Sequence, residues 1–180
     1  MTGFQIRCVL FGAALLALSS CGKAPLEQAV QKNDRTAVTE ALKAGGDVNA
    51  RTSTGDSPLM LAAKAGQSSS AQALIEGGAD VAARDGDGNS VLHHAARTGM
   101  TGICGLLIER GIAVDVAGKS GDTPLHFAIR AGKQETAKYL VRRGAHLEQK
   151  NSAGASALSL VAGDERFTND LKLAASTRAP

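Results

Sequence analysis

Between Gly121 and Gly144 the apolar positions fall into two helical phases separated by a glycine. Leu125, Ala128 and Ile129 share one face of a first helix, and Ala137, Leu140 and Val141 share one face of a second. Thr123 offers a hydroxyl that accepts a backbone N–H where the first helix starts. Pro124 follows at the first helical position, where its missing N–H costs nothing. Gly132 breaks the first helix and Gly144 stops the second. The pattern predicts two short helices joined by a turn, neither of which buries its apolar face alone.

The pattern recurs. Gly55, Gly88, Gly121 and Gly154 lie 33 residues apart, as do Leu59, Leu92, Leu125 and Leu158. The second-helix stops Gly45, Gly78, Gly111 and Gly144 keep the same step, and the capping slot holds Ser57, Ser90, Thr123 and Ser156. A fixed period of this length predicts units that stack side by side into one continuous core. Five units are expected, over residues 25–50, 51–83, 84–116, 117–149 and 150–175.

The end units differ in the way caps do. Pro25, Leu26, Ala29 and Val30 fill the slots of Pro58, Leu59, Ala62 and Ala63, and Asn33 takes the glycine slot. Leu42 takes the slot of Ile75, Ile108 and Val141. Glu27, Gln28, Gln31 and Lys32 give the first unit a polar outer face. In the last unit Val161 and Ala162 stay in register. Phe167, Leu171 and Leu173 are expected to form the apolar side of a final helix, with Asp170 and Lys172 outward. Residues 176–180 are expected to be a loose tail. Ser68, Ser69 and Ser70 replace good helix formers in the second unit, and Gly102 and Gly105 weaken the third. These second helices are expected to be the softest part of the stack.

The period, together with Thr-Pro-Leu-His-Phe-Ala at 123–128, resembles the ankyrin repeat family over residues 25 to 175. The resemblance implies an all-α ankyrin-repeat solenoid with β-hairpin loops between the helix pairs. It also implies a protein-binding scaffold and not an enzyme, with partners usually met by the hairpin tips and first helices of the concave face. The histidine of the motif, at a slot holding Met60, His93, His126 and Ser159, is implied to bond the capping hydroxyl and the neighbouring repeat.

Residues 1–20 read as a targeting segment. Arg7 supplies a positive start and residues 8–18 form an apolar run too short to span a bilayer. Leu18-Ser19-Ser20-Cys21 resembles the bacterial lipobox, which implies lipidation of Cys21 and an envelope location. Gly22, where Asp tends to retain Gram-negative lipoproteins at the inner membrane, favours the outer membrane. Residues 21–24 would be a short tether, leaving the first repeat close to the lipid and the body in the periplasm.

Composition narrows the partners. The formal charge is +3, and Arg7 is the only charged side chain before Cys21, so the remainder carries one unit less. That is no basic footprint for nucleic acid. Aromatic residues are 3% of the chain and Trp is absent, which removes stacking platforms for single strands.

Chemistry-bearing clusters are few. Asp85-Gly86-Asp87-Gly88-Asn89 opens like a calcium loop but has Ser90 and Ala96 where such a loop needs its turn glycine and bidentate glutamate. A turn is the expected role. His93 and His94 point about 100° apart on a helix, so they form no single ligand face. His94 sits where Leu61, Phe127 and Leu160 sit in the other repeats, and burial there would lower its pKa. Cys104 fills the slot of Ala71 and Ala137 and is expected to be a small buried hydrophobe. No catalytic, metal or cofactor site, and no small-molecule substrate, is expected.

The equivalent slots line up into ladders. Lys64, Arg97 and Arg130 form a basic one; Asp56, Asn89 and Asp122 run beside it; Asp87, Lys119 and Phe127 border it. A basic stripe with an acidic edge suits recognition of a protein surface of matched charge, although such ladders also pair with each other at little gain. The expected function is a lipid-anchored periplasmic adaptor. The alternatives are an immunity or inhibitor protein, a helper of an oxidative-stress enzyme such as catalase, a structural spacer, and an enzyme centred on Asp85, His93 and His94.

Overall fold

The structure, a computed structural model, describes the backbone of residues 23–177 and the side chains of residues 26–177. The expected leader, the lipid site Cys21 and residues 178–180 lie outside the described residues. Among the described residues ten helices follow one another: α1 (Lys23–Gln31), α2 (Arg35–Lys43), α3 (Pro58–Ala65), α4 (Ser68–Glu76), α5 (Val91–Thr98), α6 (Thr101–Glu109), α7 (Pro124–Arg130), α8 (Gln134–Arg142), α9 (Ala157–Leu160) and α10 (Glu165–Ser176). Odd-numbered helices pack on odd, and even on even, so that five pairs stack in two layers.

Within a pair the chain reverses at one slot with positive φ: Asn33 at 53°, Gly66 at 73°, Gly99 at 82° and Gly132 at 67°. Asparagine tolerates this left-handed region better than most residues, which explains its presence in the first repeat. The core repeats as the sequence does. Leu59, Leu92 and Leu125 from the first helices, and Leu74, Leu107 and Leu140 from the second, are fully buried. Each contributes about 1.5–3 kcal/mol of apolar burial. Cys104 is buried in the same slot as Ala71 and Ala137, and burial pushes its thiol up to about 12. It is a packing residue without thiolate character.

Ala62, Ala63, Ala95, Ala96 and Ala128 let α3, α5 and α7 approach closely, and all five are fully buried. These helices pack more tightly than α4, α6 and α8 on the other layer. A stack that is tighter on one side curves toward it, so the first-helix side is the concave one.

The hairpins expected between repeats are reduced to tight turns. Each is closed by paired backbone bonds, as in Asp85 N–H to Asn89 O at 3.0 Å and Gly88 N–H to Asp85 O at 2.9 Å. Strand character is limited, among the described residues, to the isolated bridges Arg84–Ser90 and Lys150–Ser156.

The supposed soft points have structural uses. Ser70 is fully buried; its N–H donates to Asn33 Oδ1 at 3.1 Å and its hydroxyl to the Val30 carbonyl at 3.3 Å. The serine therefore ties α4 to the first repeat. Gly105 is needed for space: a Cβ there would stand 2.6 Å from the Tyr139 hydroxyl. Gly102 faces open space.

The C-terminal cap departs from expectation. The helix α9 ends after four residues, the chain turns, and Asp164 Oδ1 caps α10 by accepting the Phe167 N–H at 2.9 Å. Val161 stays buried in the slot of Ala95 and Ala128, but Ala162 is exposed and the register ends there. Phe167, Leu171 and Ala174 form the buried side of α10, whereas Leu173 is 65% exposed. Ser176, expected in the tail, belongs to the helix. At the other end Lys23 and Ala24, expected as tether, are already helical.

Candidate partner-binding face

The first helices carry the face, and two buried histidines fix the loop tips beside it. His93 Nδ1 accepts the Ser90 N–H at 3.0 Å, so its proton sits on Nε2, which donates to the Asp122 carbonyl at 2.9 Å. His126 repeats the arrangement one unit on, accepting the Thr123 N–H at 3.2 Å and donating to the Ala155 carbonyl at 3.1 Å. Each histidine therefore locks its own helix start to the tip of the next repeat, as the family resemblance implies. Burial pushes the His93 imidazole down to about 4. Backbone bonds stitch neighbouring tips, Lys119 N–H to Asp87 O at 3.1 Å and Ser152 N–H to Ser120 O at 2.9 Å.

The two charged ladders are not independent. Lys64 Nζ lies 2.7 Å from Asp56 Oδ1 and 3.8 Å from Asp85 Oδ2. Arg130 Nη1 donates to Asp122 Oδ2 at 2.6 Å, and Asn151 Nδ2 donates to Asp122 Oδ1 at the same distance. Asp56 and Asp122 are buried, each 8% exposed. They hold the cations in place and offer no free acidic edge. Asn89 is half-buried, and its Oδ1 fills the space a side chain on Gly118 would need. Arg97 alone of the basic rungs is exposed with no ion pair among the described residues. Asp87 and Lys119 are exposed at the tips.

Asp85 binds the turn, the role expected of it at a loop tip. Its Oδ1 accepts the N–H groups of Asp87 at 3.0 Å and Asn89 at 2.9 Å, while Oδ2 meets His94 Nε2 at 2.8 Å. Burial raises the Asp85 carboxyl, but the His94 and Asn89 hydrogen bonds outweigh it and the net shift is downward. Asp122 is likewise held low: burial raises it, and the Arg130 and Asn151 hydrogen bonds more than reverse that. Burial lowers His94 despite the pull of Asp85, and its Nδ1 has no hydrogen-bond partner. Among the described residues no group of three His, Cys, Asp or Glu side chains could hold a metal ion, and no helix is long and apolar enough to cross a membrane.

Between repeats three and four the face opens into a shallow notch of about 350 Å³ lined by Arg97, Phe127, Arg130 and Ala131. The Phe127 ring is held by the imidazole of His93, edge-on with centroids 5.1 Å apart and planes at 74°. Sequence reasoning placed Phe127 only at the border. It also missed that Asp85 and Asn151 reach the ladders. Those two share one slot with Thr52 and Gly118, and the mixture of residue types concealed the role.

A stack of paired helices with these inter-repeat histidines defines a solenoid binding scaffold. The chain belongs to the ankyrin repeat family: the model for ankyrin repeats (3 copies) matches residues 6–85, 26–117 and 59–151. Ankyrin repeats serve in general as protein-interaction scaffolds and are generally non-catalytic. A comparison with curated proteins gives no match.

Proposed function

We propose that this chain is a lipid-anchored periplasmic adaptor, tethered through Cys21 to the outer membrane of a Gram-negative envelope, that holds another protein against its first-helix face. The observation that carries the binding part is Arg97. It is an exposed cation with no ion pair among the described residues, in the middle of a ladder whose other two rungs, Lys64 and Arg130, are ion-paired. Beside it Phe127, Arg130 and Ala131 complete a notch with an apolar floor. The envelope part rests on the Arg7 start, the apolar run and the Leu18–Cys21 box.

The test is a pull-down from envelope extract with residues 22–180 as bait, beside the Arg97→Glu variant of the same bait. Arg97 makes no ion pair, so the variant is expected to keep its helical circular dichroism and to lose the partner held by the parent. A partner retained equally by both baits contradicts the assignment of the site.

A further inference from the structure

We infer that the notch between Arg97 and Arg130 receives an acidic protein segment in which a carboxylate side chain stands next to a large apolar one. This rests on the proposed binding role of the first-helix face and specifies the chemistry of its partner.

Charge sets the sign. Three carboxylates of this face are turned inward, Asp56 closed on Lys64, Asp85 on His94 and the turn N–H groups, and Asp122 on Arg130 and Asn151, while Asp87 is exposed at the loop tip and does not line the notch. What remains outward at the notch is the whole guanidinium of Arg97 and the unengaged nitrogens of Arg130, whose side chain is 45% exposed. Asp122 anchors Arg130 through one nitrogen, so this group is pre-positioned and loses little freedom on binding. Guanidinium nitrogens in a planar fork match a carboxylate in two-point contact.

Shape sets the second requirement. Phe127 and Ala131 give the floor an apolar character, and the ring is braced by His93 from inside the repeat. First helices in contact lie about 8–10 Å apart, so the two arginines flank a gap one side chain wide. The notch, about 350 Å³, sits at the small end of the range of about 300–1,000 Å³ for small-molecule pockets and is too open to enclose such a ligand. It suits one side chain projecting from a larger surface. A free carboxylic acid would gain the charge contact but no burial.

The experiment is panning of a random twelve-residue peptide display library on the immobilised chain, followed by anisotropy titration of the enriched peptides. Enriched peptides are expected to pair Asp or Glu with a neighbouring Leu, Met, Phe or similar residue. Replacing the acid by its amide, or the apolar residue by Ala, is expected to weaken binding tenfold or more. Arg97→Glu in the chain is expected to do the same, while Glu109→Lys on the opposite layer leaves binding unchanged. Free glutamate at millimolar concentration is expected not to compete. Failure to enrich, enrichment of basic or purely apolar peptides, or equal binding by the Arg97→Glu chain overturns the inference. A pull-down partner that depends on Arg97 alongside such a panning result would leave the adaptor reading standing and remove only the acidic–apolar assignment.

Discussion

Acidification from pH 7 to pH 4 is expected to remove about 3 kcal/mol of stability through His93 alone. The imidazole is fully buried, with the Ser90 N–H aimed at Nδ1 and the Asp122 carbonyl at Nε2. A proton on Nδ1 would face a donor, and the charge would have no water. In the unfolded chain the ring takes up its proton near its ordinary value of 6.5; in the folded chain it does so only near about 4. Between those values the unfolded state binds more protons, so stability falls as pH falls, by about 1.4 kcal/mol per pH unit. Above 6.5 the contribution is complete, and below about 4 the loss from this group stops. His94, also lowered by burial, adds in the same direction. Asp85 and Asp122, held below the usual carboxylate range, extend the loss to still lower pH as they are forced to protonate. Urea unfolding followed by helical circular dichroism at pH 7, 5.5 and 4 measures this. The midpoint is expected to drop steadily, and the drop to shrink in the His93→Gln variant. A midpoint independent of pH, or an unchanged slope in the variant, contradicts the assignment.

Leu92→Ala is expected to cost about 3 kcal/mol, within the range of about 2–5 for such truncations. Leu92 lies in α5, the central first helix, and is fully buried in the slot shared with Leu59 and Leu125. The close approach of α3, α5 and α7 leaves the neighbours little freedom to collapse into the gap. Position in the array matters as much as the cavity. In a solenoid, stability is a sum of repeat terms and interfaces between neighbours, so damage to the middle repeat weakens two interfaces at once. The same truncation at Leu171, buried in the last helix, is expected to fray one end instead. Chemical denaturation of the variants measures both effects. A loss below about 1 kcal/mol at Leu92 would mean that repeat three does not hold the stack together.

The interior of the array was legible because the repeats between the two end units obey one rule. Counting in steps of 33 located each leucine, each cap and the positive-φ slot, down to the asparagine that replaces glycine at 33. Counting failed where the rule stops. In the last repeat α10 restarts from its own cap at Asp164, and its phase is set from there. Leu173 is two residues after the buried Leu171, about 200° around the helix, and so faces solvent while Ala174 turns inward.

The candidate site was legible as a set of positions and not as a set of contacts. Slot arithmetic aligned Lys64, Arg97 and Arg130, but it carries no information on where a long side chain reaches. Lys64 and Arg130 bend back to Asp56 and Asp122, eight residues earlier in the chain. Arg97 has Asn89 at the corresponding place, which carries no charge, and that single change leaves it free of an ion pair. The notch formed by Phe127 needs two repeats in contact, which no one-repeat pattern describes.

The most direct measurement of the binding role is site-specific photo-crosslinking in the intact cell of origin. A photoreactive residue would be placed at Ala131, which lines the notch, at Lys119 on the adjoining tip, and at Glu109 on the opposite layer. One discrete protein adduct from 131 and 119, with none from 109, is the predicted result. Adducts only from 109, or none from any of the three positions, would contradict a protein partner on the first-helix face.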